Sequence, residues 1–273
     1  MLTTTQETFL REFHAAHPAV TARCMAHGRA ADGRSSYEIL RDRVTGCRRV
    51  LDLGCGDGLL LELLAADSEG RELAGVDLSP EDLTLARRRP LPAGTRLLEA
   101  RAQELPFPAG SFDACVSHMA LMLMADADQV VAEAARVLAP GGVLALATGG
   151  GAVDGEAYDV FLRLLRPLIG SAPAEQRIPA LGDRRVRSRE GLDELLGPAG
   201  FSPVDRDTVR IDLSGSLEQV WDVVSGVYDL GPVDIRTIAS LREAFTAETE
   251  SMVRPDGTIP CGMKVHIASS RMP

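Results

Sequence analysis

R-V-L-D-L-G-C-G-D-G, residues 49–58, is the stretch on which the fold of this chain turns. Three apolar residues, Val50, Leu51 and Leu53, enclose one acid, Asp52, and the run then opens into Gly54, Gly56 and Gly58. A helical pattern, L-L-L-E-L-L-A-A at 59–66, follows without a break. The order is strand, glycine turn, helix. Glycines let the backbone turn tightly and approach a ligand closely, and the helix N-terminus behind them offers free N–H groups. Spacing narrows the ligand. A dinucleotide loop needs G-x-G-x-x-G. Here the third glycine comes one residue early, and Leu59 stands where that pattern needs glycine. A phosphate-binding P-loop needs G-K-[ST], which is absent.

About twenty residues on, a second apolar run, E-L-A-G-V-D-L-S-P, carries Asp77 at its end with Leu78 beside it. In doubly wound α/β folds an acid at the tip of the second strand binds ribose hydroxyls. Ser79 and Pro80 then suit the N-cap and first position of a new helix. Two strand tips with these residues at this separation predict a nucleoside site. The other reading is a turn of glycines followed by a helix-capping acid.

The E/D-x-G-x-G-x-G form, with Asp52 as its acid, resembles motif I of class I S-adenosylmethionine (SAM) methyltransferases. Residues 100–126 resemble the segment G-D-A-x-x-L-P-F … F-D-x-V-x-S of methyltransferases similar to the ubiquinone and menaquinone enzymes. The run R-V-L-A-P-G-G-V-L at 136–144 is similar to their helix-to-strand junction. The resemblance covers the chain to Thr148 and thins beyond 149–151. It implies an α/β fold: a Rossmann-like, doubly wound, seven-stranded, mainly parallel sheet with a helical cap and the last strand antiparallel at the sheet's end. It implies a single methyltransferase domain over 1–273, with a helical cap at 1–46, a SAM-binding core at 47–148, and a lid insertion with the C-terminal sheet half at 149–273.

Composition bounds the partners. A formal net charge of -10 repels phosphate backbones, so nucleic acid is not the expected substrate. No apolar run approaches the roughly 18 residues of a membrane span, and the first residues do not read as a signal peptide. Five scattered cysteines contain no C-x-x-C pair, so neither a zinc site nor a disulfide framework is expected. Reduced thiols fit a cytoplasmic location. The sequence assigns no oligomeric state.

Taken in order, residues 6–30 read as a helix broken near Pro18, and D-G-R-S-S as a turn with a capping serine before a helix at 37–44. Strands are expected at 95–99 and 112–117, and a helix at 126–138 closed by A-P-G-G with Gly141 as its left-handed cap. After a helix at 156–165, residues 167–188 read as irregular. A helix, an alternating strand (D-T-V-R-I-D-L), two further helical segments and a final strand (M-K-V-H-I-A-S-S) complete the chain.

The resemblance implies SAM as cofactor and S-adenosylhomocysteine as product. It implies cofactor contacts at Asp52, Gly54, Cys55, Gly56, Gly58, Asp77, Leu78, Ala102, Gln103 and Ser117. Tyr37, on a helix that lies over the cofactor in the family, reads as a cofactor contact or as packing on the sheet. Arg101 stands where the family has an Asp against the adenine amine, which puts that contact in question. His118 falls at the fourth strand tip, where relatives often have Ser or Asn. It is the candidate base, with an ordinary pKa suited to proton removal, and its other reading is a positioning histidine. His14, Trp221 and Tyr228 are candidate substrate contacts. The last two share a helix face if 217–228 is one helix; otherwise they are core of the lid. No metal is expected. The favoured activity is methylation of a small organic molecule, an aromatic or indole-like specialised metabolite, at O or C. A SAM-binding protein or a SAM-fold enzyme that transfers no methyl, and an NAD-dependent oxidoreductase, are the alternatives.

Overall fold

The computed structural model describes residues 4–67, 70–173 and 177–273. Residues 174–176, within the stretch expected to be irregular, lie outside the described residues. Seven strands form one sheet: β1 (Arg49–Leu53), β2 (Glu72–Asp77), β3 (Arg96–Glu99), β4 (Phe112–His118), β5 (Leu138–Ala152), β6 (Asp205–Asp212) and β7 (Gly262–Arg271). Their order across the sheet is β3-β2-β1-β4-β5-β7-β6. The first five run parallel, and β7 is antiparallel to both its neighbours.

The central strands are apolar on both faces because helices cover both, as parallel sheets require. Period-2 alternation then splits the core. Leu51 and Leu53 belong to the apolar cluster on one face, and Val50 to the cluster on the other. Asp52 lies on the face of Val50, with 1% of its surface exposed. That is an unusual place for an acid, and it points to function rather than folding. The strand order reverses between β1 and β4, which opens a crevice at the carboxyl ends of those strands, the usual ligand position in such sheets.

Helices α1 (Thr5–Ala16), α2 (Val20–Met25) and α3 (Ser36–Asp42) precede the sheet; α4 (Leu59–Asp67), α5 (Pro80–Ala86) and α6 (Ala127–Val137) connect its parallel strands. α7 (Ala157–Ser171) and α8 (Arg189–Leu196) lie between β5 and β6, and α9 (Leu217–Val224) and α10 (Ile235–Thr249) between β6 and β7. The starts of α1 and α3 are fixed by reciprocal capping boxes, Thr4 with Glu7 and Ser35 with Glu38.

Four sequence expectations are corrected. The last strand is not at the sheet's end: β7 pairs on both sides, and β6 takes the edge. β6 suits that place, since its Asp205, Arg206, Asp207 and Arg210 discourage further strand pairing. Gly141 does not cap α6. The helix stops at Val137, Leu138 is already extended, and Gly141 (φ +77°) bends the start of β5, its N–H bonded to the Met272 carbonyl. α7 runs through Pro167 to Ser171 rather than ending at 165. Finally, α9 ends at Val224, and Tyr228 begins a separate 3-10 turn at Tyr228–Leu230. Trp221 and Tyr228 therefore do not share a helix.

Candidate active site

The crevice is built first by the glycine turn. Gly54 (φ +74°) lies so close to the β4 tip that a Cβ there would sit 2.4 Å from the Ala120 methyl. Gly56 (φ +52°) differs: a Cβ would meet nothing within 4 Å, so its bare backbone faces open space. Its N–H donates to Asp77 Oδ2 at 2.8 Å, and the Ser79 N–H donates to Asp77 Oδ1 at 2.9 Å. Two distant strand tips are thus clamped together through one carboxylate, with Leu78 lining the cleft between. Gly58 is turned away from the cleft. Its Cβ position points at Ala86 of α5, so it serves helix packing rather than the ligand.

Asp52, Asp57, Asp77 and Asp82 all line this cleft. Burial pushes the Asp52 carboxyl well above its ordinary range, and the neighbouring Asp77 and Asp57 add to the rise. Its Oδ1 is buried without a hydrogen-bond partner. Burial also raises Asp77, opposed by its two backbone donors. A ligand with a positive group would favour the ionised form of Asp52 and supply what it lacks. Cys55 lines the cleft too, but burial raises its thiol well above the ordinary value, so it is no thiolate.

At the β4 tip His118 projects on the face of Asp52. Its Nε2 is hydrogen-bonded to Ser36 Oγ at 2.9 Å, and its ring stacks on Tyr37 with centroids 3.6 Å apart at 17°. The Ser35 cap starts α3 so that Ser36 and Tyr37 reach this ring. His118 Nδ1 is buried and unpartnered. Burial pushes the imidazole down to about 3, so it is neutral across the working pH range. The next residue, Met119, holds a left-handed φ of +56°, a strained conformation of the kind that gathers at functional sites. Ser117 points to the opposite face. Its hydroxyl donates to the Leu53 carbonyl at 2.9 Å and accepts from the Leu121 N–H at 3.1 Å. It ties β4 to β1 and does not line the cleft, contrary to the expectation for it.

Ala102 and Gln103 line the end beyond Asp77, with the Gln103 amide donating to the Ala125 carbonyl at 2.7 Å. Arg101 pairs with Glu7 of α1 at 2.7 Å. α1 lies across the cleft and contributes Glu7, Leu10, Arg11 and His14 to its lining. Arg11 pairs with Glu99 at 2.7 Å, and His14 Nδ1 bonds to Asp82 Oδ2 at 2.8 Å. His14 Nε2 reaches the Tyr228 hydroxyl at 3.1 Å. Both His14 and Tyr228 thus line the cleft. Trp221 does not: it packs on Phe245 and Phe161, with centroids 5.6 and 6.0 Å away. The space left beneath α1 is ≈ 120 Å³.

Sequence reading passed over Ser36, Asp82 and Glu7. Glu7 had a local signal, the capping box with Thr4, and Ser36 follows the capping Ser35, but a cap does not announce what else its residues touch. Asp82 reads as an ordinary first-turn acid of α5. Among the described residues no group of three His, Cys, Asp or Glu side chains could hold a metal, and no helix is long and apolar enough to cross a membrane.

Residues 51–146 match the family described as "Methyltransferase domain". Over 165 residues the chain is 38% identical to the demethylmenaquinone methyltransferase of Thermus thermophilus, covering 57% of this chain and 74% of that one. Among solved structures, a putative type II methyltransferase from Anaeromyxobacter dehalogenans superposes with a TM-score of 0.61 at 22% identity, over 90% of this chain and 98% of that one. A phosphoethanolamine N-methyltransferase from Haemonchus contortus, solved with S-adenosylhomocysteine, superposes with a TM-score of 0.58 at 16% identity, over 100% of this chain and 61% of that one. With this sheet order, this crevice and a relative matched over most of its length, the chain belongs to the class I SAM-dependent methyltransferases: it is an enzyme, and SAM is its cofactor.

Proposed function

We propose that the chain transfers a methyl group to oxygen or carbon of a small, ring-bearing organic molecule, of the aromatic or indole-like kind found among specialised metabolites. The observation that carries this reading is the β4 tip, where a neutral His118, its Nδ1 buried and unpartnered, lines a mostly apolar cleft and stacks on Tyr37. A flat acceptor with one polar group matches that surface. The relative's name, which points to a quinone-type ring, supports the same class.

SAM supplies an electrophilic methyl on a positive sulfur, and the residues present suit it. Asp77 is the candidate for the ribose hydroxyls, the Gly56 backbone for close approach, Ala102 and Gln103 for the base end, and Asp52 for the ammonium group. Cys55, Leu78 and Gly54 complete the wall. The protein's part is then to exclude water and hold the acceptor in line. His118 positions the acceptor's polar group through Nδ1. As an isolated base it is too weak. An imidazole at about 3 facing a phenolic hydroxyl near 10 leaves a gap of about 7 pKa units, or roughly 10 kcal/mol.

The test is incubation with SAM carrying an isotopic methyl and a fractionated small-molecule extract, read by mass spectrometry. Label in ring-bearing molecules at O or C is the expected result. Label confined to amines, proteins or nucleic acid would overturn the acceptor class.

A further inference from the structure

Beside the cofactor cleft lies a second cavity of ≈ 550 Å³ between α1, α2 and the late segments α9, 228–230 and α10. We propose that this cavity is the acceptor chamber and that it takes a neutral, fused-ring molecule. The proposal rests on the methyltransferase reading of the neighbouring cleft.

Continuity is the first argument. Val20 lines both spaces. Phe13 faces the second cavity while its chain neighbour His14 faces the first. The Phe13 ring lies 4.5 Å from that of Tyr228, itself a wall of the first. An acceptor seated in the second cavity would extend its polar group past Val20 and Tyr228 into the first, toward His118.

Volume is the second argument. The ≈ 120 Å³ beneath α1 is below the range of about 300–1,000 Å³ that small-molecule sites occupy, whereas ≈ 550 Å³ falls within it.

Lining is the third. Phe13 and Trp221 present aromatic faces, and Val227, Leu230 and Ile238 fill in between them. Arg23 and Asp222, both exposed, put one charge of each sign at the rim. A body of fused rings matches the walls, and a neutral molecule with polar substituents matches the rim better than an anion or cation. Trp221, which does not line the cofactor cleft, regains a substrate contact by this route.

Trp221 is the chain's only tryptophan, so its fluorescence reports on this cavity directly. The probe is 1-nitronaphthalene, a neutral fused-ring nitroaromatic that quenches tryptophan on contact, titrated into full-length protein saturated with S-adenosylhomocysteine. The expected result is saturable quenching without loss of the bound S-adenosylhomocysteine. Ser225→Phe and Val233→Phe, which fill the cavity from two elements, should each weaken the probe about tenfold or more. S-adenosylhomocysteine affinity, measured by calorimetry, should stay within about twofold for both. That affinity also shows whether each variant is folded, so one variant that fails leaves the other to be read. Quenching that never saturates, that is unchanged in a folded filling variant, or that displaces S-adenosylhomocysteine overturns the chamber. Failure of the wild-type protein to bind S-adenosylhomocysteine would instead strike at the reading of the first cleft.

Discussion

At the scale of single residues, two of the buried titratable groups of the cleft pull in opposite directions. His118 is held down to about 3 against an ordinary 6.5. Above pH 6.5 it is neutral in both folded and unfolded chains, and its contribution to stability is fully present. As pH falls below 6.5 the unfolded chain gains a proton that the folded one refuses, and stability drops at about 1.4 kcal/mol per pH unit. Between pH 6.5 and about 5 this amounts to about 2 kcal/mol, which denaturant titration at the two pH values should show and which His118→Phe should abolish. Turnover should show no acid limb at the ordinary histidine pKa, since no proton reaches the imidazole there; a rate that halves near 6.5 would return His118 to the role of base. Asp52 has the reverse sign. Its raised carboxyl costs stability as pH rises above the ordinary 3.8, because the unfolded chain ionises and the folded one resists. Asp52→Asn should therefore raise the melting temperature of the ligand-free protein while weakening S-adenosylhomocysteine. A lower melting temperature for this variant would show that Asp52 holds the fold together.

At the scale of elements, the glycine turn and the second strand tip act as one unit through Asp77. Asp77→Ala removes the clamp on Gly56 and the candidate ribose acceptor together. A lost hydrogen bond to a charged group is worth about 1.5–3 kcal/mol, so S-adenosylhomocysteine affinity should fall by roughly one to two decades. Unchanged affinity in calorimetry would remove Asp77 from the site. This unit was legible in the sequence because everything in it is local: an acid, three glycines and a helix start within ten residues, then one acid at the next strand tip. What was not legible depends on how distant elements dock. His14 meets Asp82 and Tyr228 across separations of 68 and 214 residues, and Ser36 meets His118 across 82. No periodicity encodes such pairings. Ser117 and His118 were read as neighbours at one site, yet strand alternation sends them to opposite faces. Trp221 and Tyr228 were separated by a break at Gly226, which packs so tightly on Cys24 that a Cβ there would lie 2.5 Å from its Sγ. The final strand was recognised as antiparallel but placed at the edge, because its sequence alone does not say that β6 pairs on its outer side.

At the scale of the whole molecule, the cleft is closed by pieces from three regions of the chain. α1 is fastened by three contacts on one helical face: Glu7 to Arg101, Arg11 to Glu99, and His14 to Asp82. Through Tyr228, His14 also links α1 to the C-terminal segment. α1 covers the cleft, where the free space is ≈ 120 Å³, so it is the element a bound cofactor would press against. These contacts then predict a concerted closure. S-adenosylhomocysteine should raise amide hydrogen-exchange protection together in α1, at the start of α5 and over 228–230, three stretches far apart in sequence. At a ligand concentration of about 100 Kd the linkage is worth about 2.7 kcal/mol, enough to be visible in local opening. His14→Ala should uncouple the parts. Protection at the glycine turn should still rise on binding, since Gly56 and Asp77 are intact, while 228–230 should no longer respond. Dissociation of S-adenosylhomocysteine from this variant should quicken by roughly tenfold, the order expected for losing one hydrogen-bonded link of about 1.4 kcal/mol. If 228–230 gains the same protection in His14→Ala as in the wild type, the C-terminal segment closes on its own and His14 is only a neighbour. If neither α1 nor 228–230 responds in the wild-type protein, α1 does not move with the cofactor, and its three contacts serve the fold alone.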